Sequence, residues 1–188
     1  MSPPAQGSYV SRGGEKLAAA LDCFRVDVAG RICADFGSHV GGFVDCLLQR
    51  GVLRVYSIDT SYGTLAWKLR RDPRVAVLER TNAIHAVLPV QVELISIDVG
   101  WTPQEKILPS AASLLSPAGE VVTLIKPHYE SPPDLLEEGV LPEAKLGEVI
   151  ETVLVRIRKL GWTIKNTMQS PILGHGGNRE VFAHLTRP

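Results

Sequence analysis

The chain has 188 residues, 45% of them hydrophobic and 21% charged, which is the composition of an ordinary globular protein long enough for one domain with a sizeable core. Its 20 Lys and Arg balance its 20 Asp and Glu. A net charge of zero excludes a protein that grips nucleic acid by bulk charge alone, but not one with a local basic face. The cysteines Cys23, Cys33 and Cys46 are odd in number and never form C-x-x-C. They read as buried free thiols of a reducing compartment rather than a metal site or disulfide framework. With no signal peptide or long apolar span visible, a soluble cytoplasmic protein is expected.

In chain order, residues 1–8 carry Pro3, Pro4 and Gly7 and are expected to be a flexible start, with residues 9–188 forming one domain. A helix follows over Leu17–Leu21, and Gly13-Gly14 is expected to break its approach. Lys16 then falls in the first turn, an unfavourable place for a cation. Ile32–Asp35 reads as a buried strand, Phe36–Gly42 as a glycine-bearing turn, and Gly41–Gly51 as the helix behind it. Such a turn lets a ligand approach backbone N–H groups at a helix N-terminus. The spacing is not G-x-G-x-x-G, because no glycine stands two residues before Gly37, so a dinucleotide fits poorly. The acid at Asp35 suits a ligand with a cationic amino group, such as the methionine part of S-adenosylmethionine. A plain glycine loop of some other α/β protein is the alternative, and the loop alone does not choose.

Arg54–Asp59 is a second strand ending in an acid; Asp59 either accepts from ribose hydroxyls or caps a turn. Gly63–Arg71 reads as a helix, Val75–Leu78 as a third strand, and Glu79–Asn82 as a polar loop that could read an adenine edge. Val92–Asp98 is the fourth strand, again ending in an acid. Three such ends in a parallel sheet would gather carboxylates on one rim. Pro103–Leu115 reads as a helix, Pro117–Gly119 as a turn, and Glu120–Lys126 as a buried strand closed by a lysine. The proline-dense Pro127–Pro133 reads as a functional loop. Pro142–Leu160 has the apolar stripe of a long helix, followed by strands over Trp162–Met168 and Arg179–Leu185 with a glycine-rich loop between them. The alternation predicts an α/β fold, a mostly parallel sheet with one antiparallel strand. No ligand-spaced cluster involves His39, His85, His128, His175 or His184, so no metal is expected.

Five ordered stretches carry a family resemblance: Tyr9–Leu17, Asp35–Phe43, Glu79–Asn82, Leu124–Pro127 and Asn178–Glu180. Together they resemble the FtsJ-like ribose methyltransferases, and within them the branch called TlyA or haemolysin A. The resemblance implies a Rossmann-like, seven-stranded, S-adenosylmethionine-dependent methyltransferase fold and a Lys-Asp-Lys-Glu catalytic set. Position by position, that set falls on Lys16, Asp98, Lys126 and Glu180. It also implies Asp35, Gly37, Ser38, Gly41, Gly42 and Phe43 around the methionine moiety, Asp59 at the ribose, Thr81 or Asn82 near the adenine, and Asp98 beside the donor. The implied substrate is RNA, ribosomal RNA or a ribosomal subunit in particular, with no metal and no membrane. Three departures stand out. His39-Val40 replaces the Ser-Thr of the relatives, which is expected to lower donor affinity. Gly100-Trp101 replaces their Ser-Phe. Few residues precede Tyr9, where the branch carries an S4-type RNA-binding domain, so weaker autonomous RNA binding is expected. A non-catalytic donor-binding or RNA-associated protein of the same fold is the alternative reading.

Overall fold

The computed structural model describes residues 9–187. The expected flexible start at residues 1–8 lies outside them. Seven strands form one sheet: β1 (Ile32–Phe36), β2 (Arg54–Ile58), β3 (Val75–Leu78), β4 (Val92–Ile97), β5 (Leu115–Ile125), β6 (Thr163–Gln169) and β7 (Val181–Thr186). Their order is β3-β2-β1-β4-β5-β7-β6, and β7 runs antiparallel to both of its neighbours. The expected mostly parallel sheet with one reversed strand is therefore present.

The central strands are apolar at successive positions, as strands covered on both faces must be. Side-chain alternation sends Cys33, Val55 and Leu94 to one face and Ala34, Tyr56 and Ile95 to the other. Helices α1 (Arg12–Phe24) and α2 (Gly42–Gln49) cover the first face through Leu17, Leu21, Phe43 and Leu47. Helices α4 (Gln104–Leu114) and α6 (Glu143–Lys159) cover the second through Ile107, Leu108, Val153 and Ile157. The remaining helices are one turn each: α3 (Trp67–Arg70) and α5 (Pro127–Glu130).

Several boundaries differ from expectation. Gly13 and Gly14 do not break α1 but sit inside it. Their lack of side chains serves packing: a Cβ on Gly14 would overlap the Tyr9 ring, and one on Gly42 would overlap Ser11 Oγ and lie 2.8 Å from Gly14 N. Close approach of α1 to α2 is what these glycines allow, and it moves Lys16 beyond the first helical turn. The helix expected over Gly63–Arg71 shrinks to α3, because residues 61–66 are held as a turn by Asp59 and Glu79. The 117–119 turn is absorbed into an irregular stretch of β5, where pairing to β4 jumps from Leu115 to Glu120. Proline-dense 127–133 is not wholly irregular, since Pro127 starts the turn of α5. Finally, Cys33 and Cys46 are buried as expected but Cys23 is exposed, on the outer side of α1.

Candidate active site at the carboxyl rim of the sheet

The turn from β1 to α2 is pinched from two sides. Gly37 N and Ser38 N both donate to Ile58 O, at 2.9 and 3.2 Å. Gly37 has φ 87°, in the left-handed region, and a Cβ there would lie 2.5 Å from Asp98 O. Only glycine fits that junction. Beneath it Asp35 is 0% exposed. Its Oδ1 accepts from Ser96 Oγ at 2.7 Å, while Oδ2 has no hydrogen-bond partner. Burial pushes this carboxyl up to about 7, against the lowering effect of the Ser96 and Ser38 hydroxyls.

Two hollows open above the turn. One, of about 220 Å³, is lined by Ser11, Arg12, Lys16, Ser38, Gly42 and Phe43, among others. The second, of about 380 Å³, is lined by Asp59, Thr60, Thr81, Asn82, Val99 and Lys126, among others. Gly37, His39 and Asp98 belong to both, so the hollows meet at the strand ends of β1 and β4.

The four residues of the Lys-Asp-Lys-Glu set come together as two ion pairs. Lys16 Nζ lies 2.6 Å from Glu180 Oε2, and Lys126 Nζ lies 2.6 Å from Asp98 Oδ1. Register links the pairs: Ile125 is opposite Val181, so Lys126 and Glu180 are one step beyond the last rung of the β5–β7 ladder. Glu180 is 3% exposed and packs against Gly174, where any Cβ would overlap its carboxylate. Both lysines are therefore held at the rim by carboxylates, Lys16 by one that has little other freedom.

Around them, Asp59 accepts from His39 N and Ser61 N, both at 2.7 Å. Those bonds hold its carboxyl below the ordinary range in spite of burial, which acts the other way. His39, with φ 48°, is exposed between the hollows and leaves both open. Asn82 Oδ1 caps the turn at Ala83–His85 through Ile84 N, and Thr81 Oγ1 donates to Glu79 O. Of the ten donor-side residues expected from sequence, Asp35 and Gly41 line neither hollow. Asp35 is sealed below the turn, and Gly41, at φ 101°, packs against Leu65 and Leu69. Both shape the loop from behind.

Sequence reasoning did not single out Ser11 and Arg12 as hollow-lining residues, although Arg12 stands four residues, one helical turn, before Lys16. Nor did it find Ser96, since a serine inside a buried strand carries no signal of its partner. Trp101 was noted only as a departure. In the structure it is 82% exposed, at φ 58°, with its ring 4.4 Å from Tyr129, whose own ring stands 4.1 Å from His128 and 6.0 Å from Lys126 Nζ. Among the described residues no group of three or more His, Cys, Asp and Glu side chains is placed to hold a metal ion. No helix among them is long and apolar enough to cross a membrane.

Comparison with known proteins gives three findings. The model of the FtsJ-like methyltransferase family matches residues 9–187. The 16S/23S rRNA (cytidine-2′-O)-methyltransferase TlyA of Mycobacterium tuberculosis is 37% identical over 187 residues, covering 96% of this chain and 69% of that one. The crystal structure of a "putative hemolysin" from Lactococcus lactis superposes with a TM-score of 0.93 at 39% identity, over 97% of this chain and 90% of that one.

Proposed function

The chain belongs to the FtsJ-like methyltransferase family, and from that premise we propose that it is an S-adenosylmethionine-dependent enzyme that methylates a ribose 2′-hydroxyl of ribosomal RNA. The observation that carries the reading is the pairing of Lys16 with Glu180 and of Lys126 with Asp98 around the meeting point of two hollows.

The residues fit the donor. The bare backbone at Gly37 lets the β1 turn close against the Asp98 backbone, where the two hollows meet, and taken together these spaces reach the size of small-molecule sites. The Asp59 carboxylate, which has lone pairs beyond those used by His39 and Ser61, would accept from ribose hydroxyls. The turn from Gly37 to Phe43 would flank the methionine part, with Ser38 and Gly42 as its walls, and Thr81 or Asn82 would meet the adenine. S-Adenosylmethionine bound there supplies an electrophilic methyl group.

A ribose hydroxyl is a weak nucleophile because it holds its proton far above neutral pH. The lone pair of Lys126 Nζ would accept that proton as the methyl group passes to the oxygen, the S–CH3 bond breaking and the donor leaving as a neutral thioether. Asp98 fixes the Nζ position and takes up the positive charge that appears on it. Lys16, held by Glu180, places a second cation on the wall of the first hollow. Trp101 and Tyr129 present an aromatic surface on the substrate side, suited to stacking a base beside the reactive ribose.

The test is methyl transfer from labelled S-adenosylmethionine to ribosomal RNA isolated from a strain without this protein, with nucleosides mapped by mass spectrometry. The wild-type chain should produce one 2′-O-methyl nucleoside, and Lys126→Met should produce none while binding the donor within about threefold of wild type. Full activity of Lys126→Met overturns the assignment of the base. Donor binding without transfer by the wild-type chain favours the non-catalytic reading.

A further inference from the structure

The segment from Thr60 to Thr81 is basic in a chain that is neutral overall: Lys68, Arg70, Arg71, Arg74 and Arg80 stand against Asp72 and Glu79. Two of these cations are committed, Arg70 to Glu79 and Arg74 to Asp72. Lys68 covers the buried carboxylate of Asp45 at 2.9 Å. Arg71 and Arg80 have no carboxylate at ion-pair distance among the described residues. The same segment carries two large aromatic rings turned to solvent, Tyr62 at 69% and Trp67 at 70% exposure.

These groups are placed rather than scattered. Arg80 lies with its guanidinium 4.3 Å from the Tyr62 ring centroid. Its backbone is left-handed, φ 51°, and is held there by a bond from Arg80 N to Ser61 O. A bulky residue kept in that conformation costs energy that the fold has to offset, and such residues gather at working sites. Trp67 opens α3 directly after Ala66, whose N–H donates to Val40 O in the turn that lines the first hollow. The patch is therefore tied at one end to the wall of the second hollow through Asp59 and Thr81, and at the other to the β1–α2 turn.

Exposed cations on the same segment as exposed aromatic rings match single-stranded RNA: cations for phosphates, π-faces for bases, with little dependence on sequence. An acidic protein surface would be satisfied by the cations and would leave the two rings in water. The location adds a length. Lys126 ends β5 and Arg80 follows β3, four strand spacings away, so the patch is separated from the catalytic lysine by roughly 19 Å along the rim.

We infer that the Tyr62–Arg80 pair and Trp67 form a second RNA anchor, which holds single-stranded nucleotides several positions away from the ribose that is methylated. This rests on the RNA reading of the active site, and the experiment separates the two. The chain and its Tyr62→Ala, Trp67→Ala and Arg80→Gln variants are titrated with a fluorescent RNA oligonucleotide of mixed sequence. Heparin serves as a polyanion without bases, and S-adenosylmethionine affinity is followed by calorimetry. Each aromatic variant should bind RNA about tenfold more weakly with heparin and donor affinity unchanged. Arg80→Gln should weaken both polyanions and make the salt dependence shallower by about one unit of slope. Wild-type RNA affinity in the Tyr62→Ala Trp67→Ala double variant overturns the anchor and leaves the face to a protein contact. Equal losses on RNA and heparin in the two aromatic variants overturn it as well. A wild-type chain that methylates RNA alongside such results removes the anchor alone, whereas one that binds no RNA removes the active-site reading with it.

Discussion

Replacing Asp35 by Asn should change how stability depends on pH, in a direction the burial of that carboxyl fixes. Asp35 is fully enclosed, and its carboxyl is pushed up to about 7, while in the unfolded chain it titrates at about 3.9. Between those two values the folded protein holds a proton that the unfolded chain has released. Stability therefore falls as pH rises through that window. From about pH 5 to about pH 8 the loss amounts to about 2.5 kcal/mol, from the shift between the two values. Asparagine keeps an oxygen to accept from Ser96 Oγ and does not titrate, so Asp35→Asn should be free of that loss. Asp59, Asp72 and Glu120, whose carboxyls are held below their ordinary range, lose stability as pH falls instead. They are common to both proteins, so the wild-type-minus-variant difference isolates Asp35. Urea melts at the two pH values measure it. Parallel pH profiles for the two proteins would show that Asp35 ionises without penalty and would refute the account of the buried carboxyl.

Other consequences of the geometry are as direct. Gly42→Ala forces a Cβ onto Ser11 Oγ and toward Gly14 N, so α1 must shift against α2; thermal melts should show a loss of about 1–3 kcal/mol, and transfer should fall because Lys16 moves with α1. Glu180→Gln leaves the Lys16 ammonium without its buried counter-charge, which should cost about 2–4 kcal/mol in denaturant melts and at least about tenfold in single-turnover transfer. Rates equal to wild type would make the pair purely structural. Trp101→Ala removes an exposed ring that covers no core, so stability should hold within about 0.5 kcal/mol while KM for RNA rises with little change in donor affinity.

Elements whose residues report on their own backbone were readable from sequence. The apolar runs at Ile32–Asp35, Val92–Asp98 and Glu120–Lys126 fall on β1, β4 and β5 because a doubly covered parallel strand has to be apolar at consecutive positions. The Lys-Asp-Lys-Glu set was legible only through its ordered motifs, since nothing local in Lys16 tells that it will meet Glu180, 164 residues away. What escaped was set by partners distant in sequence. Gly13-Gly14 carry a breaker signal that is real in isolation, but the space they leave is filled by Tyr9 and by α2, and packing outweighs the propensity. Residues 63–66 have a helical pattern that yields to the pull of Asp59 and Glu79 on the turn. An acid at a strand end looks available to a ligand, yet Asp35 lies one residue before the end of β1 and is closed over by the very turn it supports.

The reversed strand explains why the site can exist at all. Parallel strands β1, β4 and β5 all deliver their carboxyl ends to one edge, which accounts for Asp98 and Lys126 but not for a residue that precedes a strand. A parallel β7 would start at the opposite edge, and six residues at ~3.3 Å each would leave Glu180 roughly 20 Å from Lys126. Because β7 is antiparallel, its first residue Val181 pairs with Ile125, the last of β5, and Glu180 arrives beside Lys126. Lys16 is brought in from the other side by the glycine contact of α1 with α2 and finds the carboxylate already in place. Two cations and two anions thus meet at one rim with their charges balanced, and each lysine is positioned by a carboxylate from a different strand end. Moving any one of the four would require a different topology, not merely a different side chain.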